Sequence, residues 1–160
     1  MSIQGFEDWL KTPAGQYVLN WEQVKHDELV ADIFGFNAVQ LSLPGHDFLR
    51  ANRMPLRFRC DDGRYDGVSE VRSDLHFLPF ANNSIDLVVM PHTLEFDPNP
   101  HQVLREVERV LVPEGHVIVT GFNPFSLWGA RRKLSRREAL PPWRGAYLSV
   151  PRLKDWFSLL

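Results

Sequence analysis

Two nearly continuous runs of apolar, β-forming residues frame the clearest part of the chain. Residues 85–91 are IDLVVMP and residues 116–122 are HVIVTGF. Runs without polar alternation predict strands that are buried on both faces, as in a parallel sheet. Residues 100–111 between them carry a helical apolar stripe at Val103, Leu104, Val107, Val110 and Leu111. A strand, a helix and a second strand joined by short turns indicate a parallel βαβ crossover.

Three weaker strands are predicted before this unit. Residues 37–43 (NAVQLSL) end in the turn signal Pro44-Gly45, and residues 56–60 (LRFRC) end in Asp-Asp-Gly. Residues 68–74 form a third candidate strand that ends in an acid, and residues 46–53 are compatible with a brief helix. Five strands interleaved with helices predict a doubly wound, mostly parallel α/β sheet with helices on both faces.

The flanks of this core have helical patterns. Residues 3–11 and 15–34 are predicted as helices that cover the sheet or lid a pocket. The apolar residues at approximately helical spacing in the second helix are Trp21, Val24, Leu29, Ile33 and Phe34, and we expect them to form its buried face. We therefore expect one domain over residues 1–160, with a helical extension (1–35), a core sheet (36–123) and a basic, partly helical segment (124–160) whose last helix begins near Val150.

Composition narrows the class of protein. The net charge of −2 gives no general attraction to nucleic acid or to an anionic membrane. Cys60 is the only cysteine, which excludes an internal disulfide and suits a reducing compartment. The N-terminus lacks the apolar stretch of a signal peptide, and no uncharged apolar run approaches the roughly 18 residues of a membrane span. We expect a soluble, cytoplasmic protein without membrane contact; the sequence does not specify an oligomeric state.

A set of motifs carries a family resemblance. Asp74 is followed by Leu-Pro-Phe and Asn-Asn-Ser-Ile-Asp, then by DLVVMPHTLEF, by LREVERVLVPEG and by HVIVTGFN. Together these resemble the class I S-adenosylmethionine-dependent methyltransferases of type 11. The resemblance implies a Rossmann-like fold, S-adenosylmethionine as cofactor, and methyl transfer to an unidentified acceptor, expected to be a small molecule. It places the ligand at the carboxyl ends of the strands, where the strand order reverses.

The resemblance also implies site residues. The turn after the first strand, with Pro44 and Gly45, would meet the amino-acid part of the cofactor. Asp61 or Asp62 would bind the ribose hydroxyls, and Asp74 with Leu75 would meet the adenine. At the end of the fourth strand and just after it, Met90 and His92 would contact the cofactor, and His92 and Glu95 are catalytic candidates. His92 is compatible with a general base of near-neutral pKa and equally with a structural histidine. Neither a zinc-type ligand cluster nor a G-x-S-x-G nucleophile motif occurs, so no metal is expected.

Two departures from the family pattern leave alternatives open. The first strand and its loop are QLSLPGHDF, with Gln40 near the position of the usual acid and Gly45 as the single glycine. The sheet of the family has seven strands, whereas five are predicted here, so the last two would be missing. A methyltransferase-like domain that has lost catalysis and serves binding or assembly is therefore one alternative. An RNA methyltransferase is another, because the basic run 131–137 lies between Trp128 and Trp143; a solvated helix face explains that run as well.

Overall fold

A parallel sheet organises the molecule, as seen in a computed structural model that describes residues 4–64, 67–123 and 148–158. The strand order is β3-β2-β1-β4-β5, and every neighbouring pair is parallel. The strands are β1 (Asn37–Leu41), β2 (Leu56–Asp61), β3 (Val71–Arg72), β4 (Ile85–Pro91) and β5 (Leu111–Thr120). This confirms the predicted doubly wound α/β class.

Helices cover both faces of the sheet. They are α1 (Gln4–Leu10), α2 (Pro13–Val30), α3 (Pro100–Val110) and α4 (Val150–Ser158). Alternate residues of β1 face opposite ways: Ala38 joins a core cluster with residues of α1 and α2, whereas Val39 joins a cluster with residues of α3 and α4. The two clusters account for the continuous apolar runs in the sequence, because both faces of the central strands exclude water.

The buried face of α2 was predicted wrongly. Trp21 is 58% exposed, and Val24 and Phe34 are exposed as well. The face that meets the core consists instead of Gly15, Leu19, Glu22, His26 and Val30. Two of these residues are polar and make buried hydrogen bonds, so hydrophobic spacing alone points to the opposite side of the helix.

Three further local features differ from the predictions. Residues 46–53 form turns and no helix. The third strand has only two residues, shorter than the 68–74 segment predicted. The chain passes from α3 directly into β5, and the Pro-Glu-Gly turn lies inside that strand, where Glu114 has a φ of 65° and the pairing with β4 shifts register. The basic run 131–137 and its two flanking tryptophans lie outside the described residues.

The order of the strands fixes where a crevice opens. β1 pairs with β2 on one side and with β4 on the other, so the chain winds away from β1 in both directions. The loops after β1 and β4 therefore diverge at their carboxyl ends. Within the described residues, β5 forms the sheet edge beyond β4. No helix in this part of the chain combines the length and apolar character that crossing a membrane requires.

Candidate active site

The loop after β1 adopts a left-handed turn without glycine. Ser42 has a φ of 73° and Leu43 a φ of 47°, and residues other than glycine rarely adopt this left-handed conformation. Ser42 is 1% exposed, and its hydroxyl has no hydrogen-bond partner among the described residues. Strained backbone and an unsatisfied buried hydroxyl at a strand end are features of ligand sites.

Gln40 holds this loop in place. The side chain is fully buried in β1, and its amide nitrogen lies 3.0 Å from the carbonyl oxygen of Ser42, 3.1 Å from that of Leu43 and 2.8 Å from that of His46. Its amide oxygen accepts a hydrogen bond of 2.9 Å from the N–H of Phe48. An amide donates and accepts at once and therefore suits this set, whereas an ionised carboxylate could not donate to the carbonyl groups.

A cavity of about 300 Å³ lies beside this loop. Helix α1 forms one wall and the loops after β1 and β2 form the other, with Glu7, Leu10, Lys11, Gln16, Gly45, His46 and Gly67 lining it. Gly67 has a φ of 124°, and a Cβ there would lie 2.7 Å from the backbone nitrogen of Gly45. Glycine is therefore required at Gly67 for the two loops to meet, and the predicted residue Gly45 reaches the cavity wall.

The two acids after β2 have different surroundings. Asp61 is 3% exposed, and its carboxylate accepts a hydrogen bond from the N–H of Gly63. Asp62 is paired with the guanidinium of Arg64, which also reaches Asp97 beyond β4 at 3.3 Å. Arg64 therefore spans the crevice between the ends of β2 and β4.

Asp74 belongs to a chain of polar contacts. Its Oδ1 lies 2.7 Å from Nδ1 of His76, and Nε2 of His76 lies 2.8 Å from Oδ1 of Asp97. The hydrogen bond from the backbone N–H of His76, followed by the bond and charge of its ring, lowers the pKa of Asp74. Sequence analysis missed His76 and Asp97. Their signals were a histidine two residues after a site acid and an acid just before α3.

Two predicted cofactor residues lie in the core beneath the crevice. Leu75 is 1% exposed and Met90 is 0% exposed, and both belong to the cluster that packs against α3. Their side chains therefore belong to the core in this structure. Their contact with a cofactor stays a prediction.

His92 lies at the centre of a buried ionic triad. Its Nε2 lies 3.0 Å from Oε1 of Glu22 in α2, and its Nδ1 contacts Oε1 of Glu95. The side chains of His92, Glu22 and Glu95 are 0%, 8% and 2% exposed. Glu95 also accepts a hydrogen bond of 2.9 Å from the N–H of Phe122, just after β5. The triad thus ties the N-terminal helices to the loops after β4 and β5.

The charges of the triad decide its chemistry. Burial alone acts to lower the pKa of His92, but the charges and hydrogen bonds of Glu22 and Glu95 outweigh it and raise the pKa to about 10. Because both ring nitrogens face carboxylates, both carry hydrogen and neither has a lone pair for accepting a proton. In this position His92 links α2, through Glu22, to the loop after β4, through Glu95. His92 and Glu95 were candidates from the sequence, but Glu22 was not, because it lies on the face of α2 that was not predicted to be buried.

Replacing Gln40 with glutamate tests the loop assignment. Gln40→Glu restores the residue type typical of the family, yet a carboxylate would face three carbonyl oxygens. We expect the free energy of unfolding to fall by at least about 2 kcal/mol. The loss should be larger at pH 8 than at pH 5, because only a protonated carboxyl can donate to a carbonyl. Chemical denaturation at both values measures it, with Gln102→Glu in the first turn of α3 as control; equal stability of Gln40→Glu and wild type at pH 8 would contradict the assignment.

Replacing His92 with glutamine tests the triad. The folded pKa of about 10 exceeds the ordinary value of 6.5, so the triad stabilises the fold fully below pH 6.5 and progressively less as pH rises towards 10. We expect His92→Gln to cost about 3–5 kcal/mol at pH 6.5, because it leaves two buried carboxylates without a cation. The difference from wild type should shrink towards pH 10.

Denaturant unfolding at several pH values provides the measurement. His116→Gln, on the exposed side of β5, is the matched control and should follow wild type throughout. A cost for His92→Gln that stays constant from pH 6.5 to 10 would show that the imidazole is not charged in the folded state.

Sequence comparisons find related proteins. A family model described as a methyltransferase domain (type 11) matches residues 38–119, about half of the chain. The chain is 37% identical over 91 residues to the uncharacterized protein YafS of Escherichia coli, covering 57% of this chain and 38% of that protein. It is 32% identical over 96 residues to a demethylmenaquinone methyltransferase of Chlamydia pneumoniae, covering 58% and 40%. The matched segments thus span about two fifths of these curated relatives.

Solved structures share the fold. An S-adenosylmethionine-dependent methyltransferase from Thermotoga maritima superposes with a TM-score of 0.72 at 17% identity, covering 98% of this chain and 76% of that one. At such identity the likeness concerns the fold alone. The match over residues 38–119 contains β1, β4 and the crevice between them. The chain belongs to the type 11 methyltransferase-domain family.

Proposed function

We propose that the protein binds S-adenosylmethionine in the crevice above β1 and β4 and transfers its methyl group to a small-molecule acceptor. The observation that carries this proposal is the loop after β1. Ser42 and Leu43 keep the left-handed backbone of a ligand-binding turn although neither is glycine, and the buried hydroxyl of Ser42 has no partner among the described residues. Strain and an unsatisfied hydroxyl are costly, so a ligand that uses them is the simplest reason for their presence.

The cavity beside the loop fits the amino-acid end of the cofactor. At about 300 Å³ it is at the lower limit of small-molecule sites. Glu7 of α1 and Lys11, which directly follows that helix, line the cavity, and Lys11 also pairs with Asp8 at 3.0 Å. A zwitterionic amino acid presents the complementary charges. Gly45 and the Ser42 hydroxyl would complete this part of the site.

The acids at the strand ends supply the remaining contacts. Asp61, at the end of β2, is the better ribose ligand because the carboxylate of Asp62 is held by Arg64. Asp74, whose side chain is 59% exposed, would accept from the adenine edge. The pKa of Asp74 lies below its ordinary value, which keeps it ionised as an acceptor.

Methyl transfer from a sulfonium needs little acid or base catalysis. When bound, S-adenosylmethionine supplies an activated methyl group on a sulfonium, so in-line placement of the acceptor is the main requirement. The triad of Glu22, His92 and Glu95 fixes the helices over the crevice and would thereby exclude water and orient the bound molecules. This role suits His92 better than proton transfer, because both of its ring nitrogens already donate.

The acceptor is a separate question. Relatives that match parts of this chain include a ubiquinone/menaquinone biosynthesis C-methyltransferase from Hahella chejuensis and a malonyl-[acyl-carrier protein] O-methyltransferase from Halorhodospira halophila. One is a C-methyltransferase and the other an O-methyltransferase, so together they support methyl transfer in general. A domain without catalysis is the second candidate, favoured by the replacement of glycines with Ser42, Leu43 and Pro44.

Calorimetric titration with S-adenosylmethionine and with S-adenosylhomocysteine tests the proposal. We expect saturable binding at micromolar concentration. Asp61→Ala should weaken the binding about tenfold or more, because it removes a hydrogen bond made by a charged group. Gly67→Ala should weaken binding as well, since its Cβ would push the two loops apart.

Asp155→Ala, on the exposed side of α4, is the control and should bind as wild type does. Absence of binding to the folded wild-type chain would overturn the proposed function. Binding without methyl transfer to any quinone-like or carboxylic acceptor would support the second candidate.

A further inference from the structure

His76 connects two carboxylates that come from different parts of the fold. Asp74 follows β3, and Asp97 lies between β4 and α3. Nδ1 of His76 is 2.7 Å from Oδ1 of Asp74, and Nε2 is 2.8 Å from Oδ1 of Asp97. The side chain of Asp74 is 59% exposed, whereas that of Asp97 is fully buried.

The geometry fixes the protonation of the ring. Ionised carboxylates only accept hydrogen bonds, so both nitrogens of His76 must carry hydrogen for both contacts to form. Partial burial acts to lower the pKa of His76, but the hydrogen bonds and charges of Asp97 and Asp74 prevail and raise it. Asp97 cannot turn away from this arrangement, because its Oδ1 also accepts from the N–H of Asn99 at 2.8 Å and its Oδ2 faces Arg64 at 3.3 Å.

His76 leaves Asp74 with one oxygen engaged and one open. Both the ring and the backbone N–H of His76 donate to Oδ1 of Asp74, the latter at 2.8 Å. Oδ2 of Asp74 receives no hydrogen bond from the part of the chain that the structure describes. An exposed aspartate would ordinarily rotate freely, but two bonds to the same oxygen fix which oxygen faces outward.

We propose that His76, anchored by Asp97, is a positioning residue that orients Asp74 so that its outward oxygen accepts a hydrogen bond from the exocyclic amino group of adenine. The inference rests on the proposed function, since it concerns the adenine end of that same site. It assigns the choice of nucleobase to a residue that does not itself touch the ligand. A purine with a carbonyl oxygen at that position would meet the carboxylate with a second acceptor and be rejected.

A pair of ligands that differ at this one group tests the inference. S-adenosylhomocysteine and S-inosylhomocysteine carry an amino group and a carbonyl oxygen, respectively, on the same purine position. The ratio of their dissociation constants, measured by calorimetry on the full chain, reports recognition of the amino group. We expect wild type to prefer the adenine form and His76→Gln to lose about fivefold of that preference, the value of one positioned hydrogen bond.

Asp97→Asn provides a second variant that leaves both His76 and Asp74 in place. It should reduce the same preference, because a neutral amide no longer favours the charged ring. His116→Gln, exposed on β5, is the matched control and should retain the wild-type ratio. A merely structural role of His76 would weaken both ligands equally and leave the ratio unchanged, and that result would overturn the inference.

Failure of the proposed function is distinguishable from failure of the inference. If wild type binds neither ligand, the proposed function is wrong. If wild type discriminates between them and His76→Gln discriminates equally well, only the positioning role is wrong. Nitrogen-15 spectra of the imidazole in the ligand-free protein give an independent readout: at pH 6.5, the ordinary histidine value, His76 should be predominantly protonated at both nitrogens, and less so in Asp97→Asn. A half-protonated ring in wild type would overturn the inference.

Discussion

The parallel pairing of β1 with β4 is the constraint on which the rest of this molecule depends. Ala38, Val39 and Gln40 of β1 pair with Leu87, Val88 and Val89 of β4 at the centre of the sheet, where neither face meets water. Strands β2 and β3 lie on the β1 side of this pair and β5 lies on the β4 side, so the loops that leave β1 and β4 diverge. Side chains satisfy several of the backbone carbonyl groups at the carboxyl ends of these two strands. Gln40 does so for the loop after β1, and Thr93 donates a hydrogen bond of 2.9 Å to the carbonyl oxygen of Leu41.

Buried charge explains how the N-terminal helices close over that opening. Phe6 of α1 packs 4.8 Å from the ring of His92 and 4.8 Å from that of Phe96. Beneath this aromatic layer, the imidazole of His92 joins Glu22 to Glu95 out of contact with water. Apolar packing gives the helices affinity for the sheet, and the ionic triad gives that contact a single geometry, since a buried charge without its partner is expensive. The same logic appears at the other end of the crevice, where Asp97 gathers Arg64 and His76.

The sequence allowed the sheet to be predicted because its signals are local. Continuous apolar runs, a helix with one apolar stripe and turn residues at the boundaries all agreed over residues 85–122. The face of α2 was predicted wrongly because the residues that decide it, Glu22 and His26, are polar and are buried against residues distant in the chain; the ring of His26 packs against that of Phe48. Glu22 meets a histidine 70 positions later. The loop after β1 presents a similar case: its residues were identified, but no spacing rule shows that Ser42 and Leu43 would take a glycine-like backbone. Local patterns therefore predicted the scaffold and named most strand-end residues, whereas the long-range polar contacts that give the site its shape became visible only in three dimensions.

Gln40 and the left-handed turn that it holds have a consequence for how such a chain can change. In a glycine-rich loop, backbone freedom is intrinsic to the residues, so each position varies independently of the strand below. Here the turn depends on an amide in β1 that binds three carbonyl groups of the loop. A glycine introduced at Ser42 would make the turn less dependent on the amide of Gln40. An acid introduced at Gln40 would be tolerated only after the turn no longer depends on that amide. Glycine at position 42 would therefore have to precede an acid at position 40. Substitutions in β1 and in the loop after it are thus coupled.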